Sequence, residues 1–145
     1  MAKKFSGYVG IWFDDSSDLP TSSFIKRPQN GAHVTLAFKP TKDSLDHWIQ
    51  GESVQVEVLG EYKNEQNHSL LVAIPDRIHE TQTVSEGKRE GRPLHITLGW
   101  ASDGRAANSG FMMTEPNRVA DGFTGNLNGC VRFCHLRDGI LPIPD

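Results

Sequence analysis

The chain has 145 residues, of which 37% are hydrophobic and 23% are charged, and its formal net charge is −3. A chain of this length forms one domain, and this composition argues against a disordered, collagen-like or membrane-embedded protein. The slight negative charge also argues against a general attraction to long nucleic acids. We therefore expect residues 1–145 to form a single water-soluble domain.

The N-terminal residues and the two cysteines indicate the cellular compartment of the protein. Lys3 and Lys4 precede the apolar run Tyr8–Phe13, which is too short for the core of a signal peptide. Cys130 and Cys134 are four residues apart, and a strand would separate them beyond the reach of a disulfide. Two thiols without a second ligand pair do not make a zinc site. We expect a reduced, cytoplasmic protein with no membrane association.

The secondary structure follows from residue type and periodicity. β-Branched and aromatic runs predict strands, as does the alternation of Val54, Val56 and Val58 with polar residues. Thr41 and Gly51 are suited to begin and end a short helix. In chain order the predicted elements are a strand 7–13, a connection 16–30, a strand 33–38, a helix 43–50, a hairpin of strands 54–59 and 70–74, a helix 78–84, a strand 94–100, a loop 101–116, and strands 122–127 and 130–136. The predicted fold class is α+β.

One four-residue pattern occurs twice in the predicted strands. Residues 33–36 have the sequence His-Val-Thr-Leu, and residues 95–98, 62 positions later, have His-Ile-Thr-Leu. Because side chains alternate along a strand, each histidine shares a face with its threonine, opposite the apolar residues. The next residue on each polar face is small, Ala37 or Gly99. We expect both motif strands and the first strand to line one concave surface.

Paired His-Thr motifs suit acid–base chemistry at a phosphate. One neutral imidazole can accept a proton from the attacking group while a protonated one donates to the leaving oxygen. Two threonine hydroxyls and an imidazolium can stabilise the charge on the non-bridging oxygens without a metal. The sequence alone does not say which histidine is the base and which is the acid.

The paired H-x-T motifs resemble those of the 2H phosphoesterase superfamily. That group includes RNA 2′,3′-cyclic phosphodiesterases, 2′–5′ RNA ligase-like proteins, the cyclic phosphodiesterase domain of fungal tRNA ligases, and phage enzymes that degrade cyclic oligonucleotide signals of bacterial defence. The resemblance implies a bilobal α+β fold in which two antiparallel sheets, with a few short helices, flank a central cleft. It also implies that His33 and His95 are catalytic, that Thr35 and Thr97 bind the substrate phosphate, and that neither a metal nor another cofactor is needed.

Two aromatic residues are candidates for stacking on a nucleobase. Tyr8 and Trp12 alternate with the apolar residues of the first strand, although that strand could equally be buried on both sides. The remaining histidines are interpreted as structural: His47, His68, His79 and His135.

The predicted function is that of a metal-independent phosphodiesterase. Its partner would be a small nucleotide with a 2′,3′-cyclic phosphate, a cyclic oligonucleotide or an RNA end, attacked by water or by a ribose 2′ hydroxyl. Such a protein would act in RNA processing or in the evasion of anti-phage defence, and we expect a monomer. The alternative is a module that binds such a ligand without turnover.

Overall fold

The computed structural model describes residues 5–13, 19–28, 31–40, 42–45, 51–75, 94–104 and 113–141. Regular structure in these residues is almost entirely β. The strands are β1 (Gly7–Phe13), β2 (His33–Phe38), β3 (Ser53–Lys63), β4 (Asn67–Ala73), β5 (His95–Trp100), β6 (Gly125–His135) and β7 (Gly139–Leu141). The other described elements are a four-residue helix, α1 (Lys42–Leu45), and a 3₁₀ turn at Glu115–Asn117.

All seven strands belong to one antiparallel sheet in the order β1-β2-β5-β4-β3-β6-β7. The sheet closes on itself because β1 also pairs with β6, from Gly7 opposite His135 to Phe13 opposite Gly129. Strands β3 and β7 pair with successive parts of the other edge of β6. Six strands therefore form a closed ring, and closure leaves each of them with a partner on both sides.

The core lies inside this closed sheet. Side chains alternate along each strand, and the inward positions hold branched and aromatic residues such as Ile11, Val34, Leu70, Ile96 and Phe133, all at most 1% exposed. Burying one such side chain contributes about 1.5–3 kcal/mol relative to leaving it in water. The outward positions of β2 and β5 are the polar ones, so the alternation identified the two faces correctly.

The predicted bilobal α+β fold is wrong. The two motif strands do not lie in separate sheets on either side of a cleft, because β2 and β5 are neighbours in one closed sheet. Their shared polar face is the outside of that sheet and not a concave floor. Alternation determines which side chains share a face, but it does not determine which strands pair, and this pairing decided the architecture.

Some predicted elements are confirmed and others differ in extent. Strands β3 and β4 form the expected antiparallel hairpin, with longer strands than predicted. The two last predicted strands are instead one continuous strand, β6, because Gly129 permits the close approach of β1 at Trp12. Strand β7 was not predicted. The predicted helix 78–84 and most of the helix 43–50 lie outside the described residues.

Two further expectations concern the chain's environment. Cys130 and Cys134 are free thiols, one half-buried and one buried. Among the described residues, no helix has the length and apolar character needed to cross a membrane.

Candidate functional site

The two motifs meet at the pairing of β2 with β5. Val34 lies opposite Ile96, and both point into the core. Continuing this antiparallel register by one residue in each direction sets His33 opposite Thr97, and Thr35 opposite His95. All four side chains are half-buried on the outer face. The structure therefore brings together the four residues that the sequence singled out, here called the His/Thr quartet.

The spacing within the His/Thr quartet suits a phosphate. His33 and His95 occupy diagonal positions on neighbouring strands, which places such residues about 7–8 Å apart. Each imidazole can reach a reacting oxygen over about 3 Å. An attacking and a leaving oxygen on one phosphorus atom fit between two groups at this separation.

The quartet also lies at the shortest ladder of the ring. Among the described residues, β2 and β5 share one registered pair, whereas each of the other ladders of the ring has between five and seven. The two residues of this pair, Val34 and Ile96, are both fully buried in the core. The site is thus built where the closed sheet has the least backbone pairing.

A hydrogen bond to Gly31 and ring contacts with Trp12 and Tyr8 orient His33. Its Nδ1 lies 2.9 Å from the Gly31 carbonyl oxygen, which can only accept, so Nδ1 carries a proton. The neutral ring then has its lone pair at Nε2. The imidazole stacks on Trp12 at 4.8 Å and on Tyr8 at 5.0 Å between ring centroids. This is the arrangement expected of a general base held in one tautomer.

Trp12 and Tyr8, which were predicted to stack on a base, both contact the ring of His33. Only 7% of Trp12 is exposed, so its ring offers little surface to a ligand. Gly10 lies between Tyr8 and Trp12 in the strand. Because glycine has no side chain, the Trp12 ring can pack over this position, where a Cβ would lie 3.0 Å from Trp12 Cζ3. Burial, followed by the neighbouring Cys134 thiol, raises the pKa of Tyr8 above its ordinary range. The aromatic pair therefore positions the imidazole.

On the side of His95 that faces away from β2, the neighbouring strands are β4 and β3. On the outer face, Leu71 of β4 lies opposite His95, and Gly60 of β3 lies opposite Leu71. A Cβ on Gly60 would lie 3.6 Å from Nη2 of Arg118, so this guanidinium covers the outer face of β3. Arg118 could not be predicted from the sequence, because it lies in a stretch without hydrophobic periodicity and only the fold brings it towards a motif.

A cavity of about 400 Å³ lies between β3 and the segment that carries Arg118. Its lining includes Gly60, Glu115, Arg118, Asp121 and Thr124. The guanidinium of Arg118 is 3.9 Å from the Glu115 carboxylate, and both side chains are largely exposed. Polar groups therefore line most of this opening. Among the described residues, no cluster of three or more His, Cys, Asp or Glu side chains is placed to hold a metal ion.

Residues 118–124 form the cavity wall that faces β3, and Glu61 attaches this wall to the sheet. One carboxylate oxygen accepts the Phe123 N–H at 3.0 Å, and the other is 2.6 Å from His68 Nε2. Burial alone would raise the pKa of Glu61, but the hydrogen bonds from Phe123 and His68 lower it below the ordinary value. The His68 Nδ1 is buried and has no hydrogen-bond partner among the described residues. His68 is thus a structural partner of Glu61.

A second segment borders the quartet on the opposite side. Ser22 is buried against Gly99, the next outward position after Thr97 on β5, and the Lys26 carbonyl accepts the Trp100 N–H at 3.0 Å. Lys63 of β3 donates to the Ser23 hydroxyl at 2.7 Å. Residues 19–28 therefore cover the outer face beyond Thr97, while the segment containing Arg118 covers β3.

Comparison with known proteins relates part of the chain to an enzyme. No protein-family model matches the chain. It is similar to a riboflavin kinase of Yarrowia lipolytica, with 37% identity over 68 residues that make up 47% of this chain and 33% of the kinase. The chain thus matches about a third of the length of this curated relative. This similarity is consistent with an enzymatic activity and does not bear on the resemblance to 2H phosphoesterases.

Proposed function

We propose that the chain is a phosphoric diester hydrolase that acts on a nucleotide phosphodiester through His33 and His95. The observation that carries the proposal is the antiparallel pairing of Val34 in β2 with Ile96 in β5; this register, continued by one residue on each side, would set each motif histidine opposite the threonine of the other motif. Two proton-transfer groups and two hydroxyl donors thus share one face and can surround one phosphate. A site that only bound a phosphate would not require two histidines placed in this way.

In the proposed reaction, His33 is the general base. Its Nε2 accepts a proton from water while the water oxygen bonds to phosphorus, and the Gly31 carbonyl stabilises the imidazolium that forms. His95, protonated at the start, donates its proton to the 3′ oxygen as the P–O bond breaks. A 2′,3′-cyclic phosphate would yield a 2′-phosphate. Thr35 and Thr97 donate hydrogen bonds to the non-bridging oxygens, where the charge is concentrated.

A second candidate function is phosphoryl transfer to a small hydroxylated molecule, which the partial match to a riboflavin kinase supports. A phosphoryl transfer to a small hydroxylated acceptor would also use a base to activate the hydroxyl and donors to hold the phosphate. This candidate differs from the first in its reaction, since it needs a nucleoside triphosphate as phosphoryl donor.

One panel of substrates separates these candidates. The protein is incubated with 2′,3′-cyclic nucleotides, cyclic di- and trinucleotides, and riboflavin with ATP and Mg²⁺, and the products are separated by chromatography. The first two groups are tested with EDTA present. Diester hydrolysis in EDTA supports the proposal, while phosphorylation of riboflavin without diester hydrolysis supports the second candidate. Saturable binding of an intact diester would indicate a binding module.

Substitution of the histidines tests the mechanism. We expect His33→Ala and His95→Ala each to lower kcat by about 10²–10⁴-fold, the usual contribution of a general acid or base. The wild-type pH–rate profile should be bell-shaped, and His33→Ala should remove its acidic limb. His135→Ala is the control, because this histidine accepts backbone hydrogen bonds in the β6–β7 turn. Full activity of either motif variant would refute the mechanism.

A further inference from the structure

We propose that the cavity beside β3 binds the nucleobase of the substrate, and that its chemistry favours guanine. This inference rests on the proposed function, since it extends the substrate from the phosphate at the His/Thr quartet into a neighbouring site. It assigns Glu115 and Asp121 as acceptors for the base edge and Arg118 as its stacking surface.

The strand register places the cavity at the right distance from the phosphate. His95, Leu71 and Gly60 lie in one row across β5, β4 and β3 on the outer face. Adjacent strands are about 4.8 Å apart, so Gly60 is about 10 Å from His95 along this row. A nucleotide carries its base one ribose away from its phosphate. With the phosphate at His95, the ribose would lie over Leu71 and the base would reach the cavity.

The charges of the cavity exclude a second phosphate and favour a hydrogen-bond donor. Glu61, Glu115 and Asp121 contribute three carboxylates, against one guanidinium from Arg118. The hydrogen bonds that lower the pKa of Glu61 keep that carboxylate ionised. An anion would be repelled, whereas an edge carrying N–H groups would be attracted.

Guanine matches this arrangement better than the other bases. Its N1–H and N2–H donors are adjacent and can both bind one carboxylate, whereas uracil offers one N–H between two carbonyls. Adenine and cytosine present an amino group beside a ring-nitrogen acceptor, which a carboxylate repels. Arg118 covers the outer face at Gly60 with a planar guanidinium, and such a group stacks on bases.

Hydrogen bonds to Glu61 attach the cavity wall to the sheet. Val119 donates its N–H to the Glu61 carbonyl at 2.9 Å, and Phe123 donates to the Glu61 carboxylate. Between these anchors, Asp121 has a positive φ of 55°, a conformation that Asp and Asn adopt more readily than most residues. Binding therefore does not have to order this wall first.

The experiment compares kcat/KM for the four 2′,3′-cyclic nucleotides in the wild type and in a double variant, Glu115→Gln with Asp121→Asn. Both changes keep the side-chain shape, and asparagine tolerates the positive φ at position 121. The matched control is Glu57→Gln, an exposed carboxylate of β3 outside the cavity. Arg118→Ala is measured in parallel to test the stacking surface.

We expect the wild type to prefer the guanine substrate by about tenfold or more, as a two-donor contact with one carboxylate can provide. The double variant should lose this preference, so that its kcat/KM for the guanine substrate falls to the level of the other three, whereas Glu57→Gln should keep the preference. Arg118→Ala should raise KM for all four. A wild type without base preference, or a double variant that keeps it, would overturn the inference.

The base site can be tested separately if the proposed hydrolase activity is absent. If no cyclic nucleotide is hydrolysed, titration calorimetry with guanosine 2′-monophosphate tests the cavity by itself. Saturable binding that exceeds that of the other three 2′-monophosphates and is lost in the double variant would support the base site alone. Equal binding of all four nucleotides, or no binding, would overturn it.

Discussion

Replacing Glu61 with glutamine would test how the cavity wall is attached to the sheet. The Glu61 side chain is 14% exposed and accepts two hydrogen bonds, from His68 Nε2 at 2.6 Å and from the Phe123 N–H at 3.0 Å. Glutamine has the same shape but only one accepting oxygen. Its amide nitrogen must therefore face one of the two donors.

The magnitude follows from these two contacts. A hydrogen bond to a charged group contributes about 1.5–3 kcal/mol, and one between neutral groups about 1 kcal/mol. Glu61→Gln removes one charged bond and converts the other into a neutral one. We expect the free energy of unfolding to fall by about 2–5 kcal/mol at neutral pH. With a urea m-value of about 1.5 kcal/mol/M, the midpoint would shift by about 1.3–3.3 M.

The effect should also depend on pH. The hydrogen bonds hold the pKa of Glu61 in the folded protein below the ordinary value of 4.5. A carboxylate with a lowered folded pKa stabilises the protein above its unfolded pKa, and this contribution is lost as the pH falls through the folded value. The difference between wild type and Glu61→Gln should therefore be constant near neutrality and shrink below about pH 4.5.

Urea denaturation followed by circular dichroism, at pH 7 and at several acidic values, measures both effects. Glu57→Gln on the same strand is the matched control, because this carboxylate is exposed and its loss should change stability by at most about 0.5 kcal/mol. If Glu61→Gln is as stable as this control, or if it lowers the free energy of unfolding equally at acidic and neutral pH, the Glu61 carboxylate does not anchor the wall.

Two further substitutions test the segments around the motifs. Gly99→Ala should destabilise the protein by about 1–3 kcal/mol, because its Cβ would lie 2.6 Å from Ser22 Oγ and 3.0 Å from the Lys26 carbonyl oxygen. Adding Ser22→Gly should restore part of this loss, and a Gly99→Ala protein with wild-type thermal stability would contradict the contact. Trp12→Ala should cost about 3–5 kcal/mol and lower kcat by freeing the His33 ring, whereas Trp12→Phe should retain most of the activity. Equal activity of Trp12→Ala and wild type would show that the stacking does not position His33.

The strands and their inward and outward faces could be predicted because they depend on local sequence. The alternation in residues 33–38 and 94–100 predicted that each histidine would share a face with its threonine, and both strands are present with nearly those bounds. The hairpin of β3 and β4 also follows from short-range pattern and a polar turn. These features need no knowledge of distant contacts.

Strand pairing and the surroundings of the site could not be predicted in this way. The neighbours β2 and β5 are separated by long stretches of chain, and β1 closes on β6 only in three dimensions. Arg118 and Asp121 lie in an irregular segment whose position depends on hydrogen bonds to the backbone carbonyl and the carboxylate of Glu61 in β3. The expected two-sheet fold came from the resemblance, which the repeated motifs support without specifying the pairing between them.

The antiparallel register gives the His/Thr quartet a local twofold axis through the pair of Val34 with Ile96. Rotation by a half turn exchanges His33 with His95 and Thr35 with Thr97, so the quartet by itself would hold a phosphate equally well in either of two orientations. What breaks the equivalence is the surroundings: aromatic rings and the Gly31 carbonyl beside one histidine, and an open acidic cavity on the side of the other. In the proposed reaction, residues outside the quartet therefore determine which histidine is the base and which is the acid. A diester with two similar halves could be bound in either orientation.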